Sequence, residues 1–416
     1  MIRSKVGRIP FMVKFIHAAD LHLDRSFEGL AGMSVDSQME FLEVNQKVLE
    51  NIVDAAIQQE VDCLLFSGDT FHQSRPSLRT QKHFFEQMSR LSDRQIPVFL
   101  IFGNHDYYQS ERYWFEFPEN VYLFTSEKVE TLQWKTRLGE TIAISGFSYT
   151  SPWIQTEKIR EFPNRHQVDV HLGMYHGELG KTGNYAPFQL SEMRQKGYEY
   201  WALGHIHVPV ELSNQPMVIY PGTPQGHTQK EEQVEGVLLI DIHQGTIEKK
   251  VISVDEIQWV TKEVSLANSR TRQEALKEIE NVQQNTVEKR QLIRLRLTNF
   301  EHLGKDFQTS VENQEIVHYL LENVRQETSI KGSIWTIELT YEQENDKIKI
   351  EASKELAEQL FTSYEDTEEF QQILSEIYGH PIAHRLLSET HAFHQEVLQK
   401  GQQLIHSEFT IGGTEE

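Results

Sequence analysis

"LLFSGDTFH", Leu64 to His72, is an apolar run too short for a helix, broken by Gly68 and followed at once by Asp69 and, three residues on, His72. Apolar runs of four to eight residues bounded by turn signals read as fully buried strands. A buried strand that ends on a carboxylate therefore predicts a sheet whose strand ends carry chemistry. The flanking sequence repeats the design. "MVKFIHA", Gln38 to Gln59, "CLLFS", Arg79 to Arg94 and "VFLIF" alternate short apolar runs with amphipathic stretches. In the first long stretch Leu49, Ile52, Val53 and Ala56 recur at helical spacing, so the order reads strand, helix, strand, helix, strand. The fold class is α/β.

After Val121 the runs become shorter and richer in strands, with "NVYLF", "KVETLQW", "TIAISGF", "VDVHLGMY", "YWALG", "MVIYPG" and "GVLLIDI". They are expected to form a second sheet packed on the first, in a layered α/β/β/α sandwich. This domain is expected to span residues 12–257. Residues 258–341 read as strand, helix, strand "LIRLRLTNF", helix "EIVHYLLENV" and strand "IWTIELT", a small separate α/β unit. Residues 342–416 read as helical, with Phe370, Ile373, Leu374 and Ile377 on one stripe. From Ala352 onward there are 3 basic and 12 acidic residues, which argues against direct contact with DNA. Two readings of this end stand side by side: it docks a partner, or it packs on its own chain. Residues 1–11 precede Met12, where the first strand starts, and read as an extension outside the fold.

The 416 residues carry 40 basic and 62 acidic side chains, a formal charge of −22, with 38% hydrophobic and 25% charged residues. Such a chain is globular, and its charge argues against coating nucleic acid or an anionic membrane by bulk attraction. A polyanionic substrate would need local help from cations or a basic lining. The single cysteine, Cys63, lies in an apolar run and reads as core. No run has the length of a membrane span, and the first residues lack the apolar stretch of a signal peptide. A cytoplasmic location is the expectation.

Five segments place polar ligands at the carboxyl ends of expected strands: "FIHAADLHLD" (Asp20, His22), "LLFSGDTFH" (Asp69, His72), "LIFGNHDYY" (Asn104, His105, Asp106), "LGMYHGEL" (His176) and "ALGHIHVP" (His205, His207). Open α/β sheets bind ligands in the crevice beyond those ends, so the five can converge. In extended chain, positions 205 and 207 share a side and can reach one site. Oxygen and nitrogen donors without a thiolate suit two divalent ions of the manganese, iron or zinc type, bridged by a carboxylate. Asn104 adds an oxygen donor without another negative charge. An imidazole at 105 suits proton transfer near neutral pH, and Asp106 is read as orienting its neighbours.

The ordered set over residues 12–245 resembles the motifs of the calcineurin-like metallophosphoesterases. The resemblance implies that Asp20, His22, Asp69 and His207 hold one metal, and that Asp69, Asn104, His176 and His205 hold the other, with Asp69 bridging. It implies that His105 contacts the scissile phosphate and protonates the leaving oxygen. The chain departs from the Ser/Thr phosphatases: it has "GDTFHQSRPS" where they carry GDxxDRG, and "GNHD" where they carry GNHE. It is more similar to the SbcD-type DNA repair exonucleases, most closely their YhaO-type branch, on the strength of His72, which there helps place the DNA phosphate, and "YPGTPQGH" (Tyr220 to His227). That family implies manganese, a DNA substrate, a homodimer and an SMC-like coiled-coil ATPase partner, with the small unit capping the cleft. The stretch Arg75 to Arg94 is either a dimer contact through basic and aromatic side chains or a plain sheet-covering helix. A small-molecule phosphodiesterase and a non-catalytic scaffold are the competing functions.

Overall fold

The computed structural model describes residues 12–28, 35–234, 236–243, 245–283, 289–324 and 334–341. The expected N-terminal extension and the helical region 342–416 lie outside the described residues. The chain opens with β1 (Met12–Ala18), α1 (Val35–Gln58), β2 (Cys63–Ser67), α2 (Leu78–Asp93), β3 (Val98–Ile101) and β4 (Val121–Leu123). The next run is β5 (Glu130–Lys135), β6 (Thr141–Gly146), β7 (Val170–His176), α3 (Leu190–Lys196), β8 (Tyr200–Gly204), β9 (Val210–Asn214) and β10 (Met217–Tyr220). Then come β11 (Val237–His243), β12 (Thr246–Ile252), β13 (Ile257–Ser265), α4 (Arg272–Gln283) and β14 (Arg290–Thr298). The described elements end with α5 (Lys305–Glu312), α6 (Glu315–Val324) and β15 (Ile334–Tyr341).

Two six-stranded sheets form the sandwich, ordered β12-β11-β1-β2-β3-β4 and β5-β6-β7-β8-β10-β9. Strands β1 to β4 run parallel, as do β6, β7, β8 and β10. The period-two alternation of each central strand feeds two cores at once. Phe15, Leu65, Phe99 and Ile101 meet Ile144, Leu172, Met174 and Ala202 between the sheets. Their neighbours Ile16, Leu64, Phe66 and Leu100 face the helices, against Leu49, Ile52 and Val53 of α1 and Phe84, Met88 and Leu91 of α2. On the far side of the second sheet Tyr175, Trp201 and Leu203 pack on Met193 of α3. Cys63 is buried between the sheets, as read.

Two expectations are corrected and one pair of open readings is narrowed. "NVYLF" and "GVLLIDI" supply β4 and β11 to the first sheet rather than the second: β11 returns to pair antiparallel with β1, through registers such as Phe15↔Ile240. Adjacency in sequence misled here, because sheet membership is set by long-range pairing. The aromatics of "RPSLRTQKHFF" do not face outward: Phe84 and Phe85 are buried under the first sheet, so α2 is a sheet-covering helix on that face. Finally, α5 lies between β14 and α6, where no helix was expected.

The third sheet, β13-β14-β15, is wholly parallel. Its own core includes Leu266, Ile279, Leu295, Phe307 and Val317. Its first strand is tied to the sandwich: Gln225 Nε2 donates to the Ile257 carbonyl at 2.7 Å, and Trp259 Nε1 donates to the Gly226 carbonyl at 2.9 Å. No described helix is long and apolar enough to cross a membrane.

His17 joins the two sheets. Its Nε2–H donates to the Leu203 carbonyl at 3.0 Å and its Nδ1 accepts from the Tyr200 hydroxyl at 2.9 Å, so the neutral ring is fully satisfied. Burial lowers its pKa to about 3, only partly offset by the Leu203 carbonyl. The unfolded chain therefore binds a proton that the folded chain refuses, and this contribution to stability is complete above pH 6.5 and is lost as pH falls towards 3. Chemical denaturation between pH 6.5 and pH 4.5 should show His17→Gln losing about 1.4 kcal/mol per pH unit of the wild-type slope; parallel slopes would mean that His17 does not titrate on unfolding.

Candidate metal centre

The carboxyl ends of β1, β2 and β3 from one sheet, and of β7 and β8 from the other, open at the same end of the sandwich. His176, the last residue of β7, donates from Nδ1 to the Ser67 carbonyl at the end of β2, 3.0 Å away, and so joins the two sheets at the cleft. The turn after β1 follows the turn after β2: Asp20 N donates to Gly68 O and His22 N to Asp69 O, each at 3.0 Å. Asp20, His22, Asp69 and His205 all have positive φ, at 52°, 45°, 51° and 104°. Left-handed backbone in non-glycine residues carries a cost that persists only where the surroundings enforce it, and such residues gather at functional sites. Because β8 stops at Gly204 and His205 is left-handed, the pair 205/207 lies in a turn and not on an extended strand as expected.

Two glycines are required by close approach. A methyl group on Gly68, whose φ is +92°, would sit 2.3 Å from His176 Nδ1, and one on Gly103 would sit 2.1 Å from Asp69 Oδ1. Any larger side chain at either position would displace His176 or Asp69.

Two donor groups result. In the first, Asp20, His22 and His207 bring one ligand atom each to within 4.8 Å of one another, and His22 Nε2 lies 3.1 Å from His207 Nε2. In the second, Asp20, Asp69 and His176 do the same. The Asn104 oxygen lies 3.1 Å from His176 Nε2 and 3.2 Å from His205 Nδ1. Asp69 Oδ2, in the second group, lies 3.4 Å from His176 Nε2 and 4.0 Å from His22 Nε2 of the first. Asp20 reaches both groups, where the motif pattern gave it to one. The histidines of "GHIHVP" part: His207 turns to His22 and His205 to Asn104.

The electrostatics follow from burial. Asp20 and Asp69 are 0% and 1% exposed. Burial, moderated by His176 and His207, raises the Asp20 pKa to about 6. Burial also opposes ionisation of Asp69, but His176, His22 and His105 overcome it and hold that carboxyl well below the usual range. His22 Nδ1 is buried without a hydrogen-bond partner.

His105 stands beside both groups. Its backbone N–H donates to Asp69 Oδ1 at 2.9 Å, and its Nδ1–H donates to the His72 carbonyl at 3.1 Å, so Nε2 is left to face the cleft. His72 stacks on His105 with ring centroids 4.7 Å apart. Asp106 does orient its neighbours: it accepts from the backbone N–H groups of Thr70, Phe71 and Gly103. Burial, added to by Asp69, lifts its pKa to about 7.

Sequence reasoning missed four supporting residues. Asp24 accepts from the His72 and Gln73 amides and fixes the turn that carries His72. Asn45 donates to the Arg25 carbonyl and accepts from His227. Arg25 and Glu231 meet behind His207, with Glu231 Oε1 2.7 Å from His207 Nδ1 and 2.9 Å from Arg25 Nη1. Burial would raise the Glu231 pKa; hydrogen bonds from His207 and the His227 amide and the charge of Arg25 hold it at about 2. The spacing Thr228-x-x-Glu231 is a capping-box signal, and the box is present; nothing in it pointed to His207.

The family described as Calcineurin-like phosphoesterase matches residues 13–209. The metallophosphoesterase YhaO of Bacillus subtilis (strain 168), named as uncharacterized, is 30% identical over 336 residues, covering 80% of this chain and 82% of its own. The chain belongs to the calcineurin-like phosphoesterases. It is also similar to the DNA double-strand break repair protein Mre11 of Saccharolobus solfataricus, at 24% identity over 54% of this chain and 57% of that protein. The SbcD component of the SbcCD nuclease of Bacillus subtilis (strain 168) is 30% identical over 95 residues, 23% of this chain and 22% of its own. The chain is thus a metal-dependent phosphoesterase, a hydrolase of a family that uses a dinuclear metal site.

The residues present fit such a pair of ions. Two nitrogens that each lie about 2.1 Å from one ion, at an angle between a right angle and the tetrahedral one, stand about 3.0 to 3.4 Å apart. The His22–His207 separation of 3.1 Å falls inside that range. Two buried carboxylates facing imidazoles, with two imidazole nitrogens in that contact, belong to a cation site rather than a finished core. Gly103→Ala should lower metal content, read by elemental analysis after dialysis, with an unchanged far-ultraviolet dichroism spectrum. A variant with full metal content would show that Asp69 and His176 have room to move.

Proposed function

We propose that the chain is a two-metal, manganese-dependent DNA exonuclease or endonuclease of DNA repair. The observation that carries this reading is the pair of buried carboxylates at the two donor groups: Asp20 belongs to both, and Asp69 lies 3.4 Å from His176 in the second and 4.0 Å from His22 in the first while its other oxygen receives the backbone N–H of His105. Asp20, His22, Asp69 and His207 would hold one ion, and Asp69, Asn104, His176 and His205 the other. When bound, the two cations polarise the phosphoryl oxygens and acidify the attacking water. His105 works from Nε2, the atom left free by its bond to the His72 carbonyl, and holds a proton at the leaving oxygen. His72, stacked on that ring, contacts the phosphate. His176 would present Nε2 to the ion, since its Nδ1 is committed to the Ser67 carbonyl.

The DNA substrate rests on likeness to relatives named for double-strand break repair and as part of a nuclease, and on the histidine at 72. In the same reading residues 258–341 form a cap on the nuclease domain, residues 342–416 dock an SMC-like coiled-coil ATPase, the nuclease is a homodimer, and it works in the cytoplasm. The formal charge of −22 favours a small nucleotide-type phosphodiester as the second reading. The roughly 160 residues that follow the catalytic domain are hard to justify for so small a substrate, and a scaffold would not need all seven donor positions filled.

Digestion of end-labelled single- and double-stranded DNA with Mn²⁺, with bis-p-nitrophenyl phosphate in parallel, separates these readings. Wild type should cut DNA; Asp69→Ala should lose both activities together with metal; His105→Ala should keep its metal and lose on the order of 10²-fold or more in kcat. Cleavage of the chromogenic diester with DNA left intact would sink the DNA reading.

A further inference from the structure

We infer that Glu231, held by Arg25, is a positioning residue that sets the tautomer of His207 and thereby makes its Nε2 available to a metal ion. The inference rests on the two-metal reading above and concerns a residue outside every motif of the site.

Glu231 is 5% exposed and lies in a short 3-10 turn (Gln229–Glu231) after "YPGTPQGH". Its carboxylate meets four donors. Oε1 faces His207 Nδ1 at 2.7 Å and Arg25 Nη1 at 2.9 Å; Oε2 faces the backbone N–H groups of His227 at 2.6 Å and Thr228 at 3.2 Å. An ionised carboxylate only accepts, so the short contact requires the proton of neutral His207 to be on Nδ1. Arg25 Nη1 and His207 Nδ1 lie 3.2 Å apart because they share that oxygen. The lone pair of the ring is thereby left on Nε2, which points at His22 Nε2. A histidine ligand whose other nitrogen donates to a carboxylate is a recurrent arrangement, and loss of such a partner costs 10- to 100-fold in metal affinity.

The same four donors make the test sharp. A glutamine at 231 has one acceptor oxygen for four donors. The backbone amides and Arg25 cannot give up their protons, whereas the imidazole can move its own from Nδ1 to Nε2. In Glu231→Gln the amide nitrogen takes the place of Oε1, Arg25 loses that acceptor, and the ring is then expected to accept through Nδ1, from the amide or from Arg25 Nη1 3.2 Å away, and to present Nε2–H to the ion. The capping turn itself survives, since the amide oxygen still receives the backbone donors. Thr228→Val does the reverse: it removes the other half of the capping box and leaves the carboxylate in place.

Calorimetric titration of the metal-free chains with Mn²⁺, accompanied by ¹⁵N spectra of the imidazoles assigned with His207→Ala, reads both ends of the argument. Wild type should bind two ions with His207 protonated on Nδ1. Glu231→Gln should weaken one of the two at least tenfold, move the proton to Nε2 and keep the wild-type dichroism spectrum, while Thr228→Val should match wild type in both measurements. Two ions bound by Glu231→Gln at wild-type affinity would overturn the inference, as would an equal loss in Thr228→Val, which would mean that the turn and not the carboxylate matters. A wild-type chain that binds no second ion would instead overturn the two-metal reading.

Discussion

Asp69 brings a negative charge to a point that is 1% exposed, next to the equally buried Asp20, and the architecture of the cleft answers that demand. Two carboxylates removed from water need compensating partners. Imidazoles supply them from both sheets: His22 from the turn after β1, His176 from the end of β7 and His105 beside β3. Such partners converge only if the strand-end turns of two sheets approach within hydrogen-bond distance of each other. The bond from His176 to Ser67 and the absence of side chains at Gly68 and Gly103 allow that approach. The left-handed backbone at Asp20, His22, Asp69 and His205 is the local cost of aiming four polar side chains inward at once.

Around this centre the supports form a second layer with its own logic. Asp24 fixes the turn of His72, whose carbonyl fixes the ring of His105. Asp106 gathers the amides of the two turns that carry Asp69 and Asn104. Glu231 holds His207 from behind. His105, His176 and His207 thus each have one nitrogen committed to the protein and one left for the cleft, the condition under which an imidazole acts as a directed ligand or proton carrier. The segment from Gln225 to Glu232 also bonds to the first strand of the third sheet, so the support of His207 and the anchorage of that sheet share one stretch of chain.

Much of the fold was legible in local patterns. The period-two strands β1, β2 and β3, the stripe of Leu49, Ile52, Val53 and Ala56 on α1, and the alternation of strand with helix all have causes within a few residues. Sheet membership of "NVYLF" and "GVLLIDI" was not, because β4 and β11 choose partners across the chain. The burial of Phe84 and Phe85 was not either: an amphipathic helix shows which face is apolar but not what covers it.

The site divides along the same line. The seven expected donors and His105 meet at the cleft, and their arrival there could be read from sequence because each sits at a fixed offset from the end of an apolar strand, and offsets are local. Their division into two groups could not, and neither could the roles of Asp24, Arg25, Asn45 and Glu231. Sequence alone determined which residues reach the mouth of the sandwich, since strand length and turn chemistry are set by short-range sterics and burial. Only the tertiary structure decided that His205 and His207 turn to different neighbours and that Glu231 stands behind one of them. The left-handed turn at His205 and the return of the chain past Gln225 bring together atoms whose separation in sequence carries no signal.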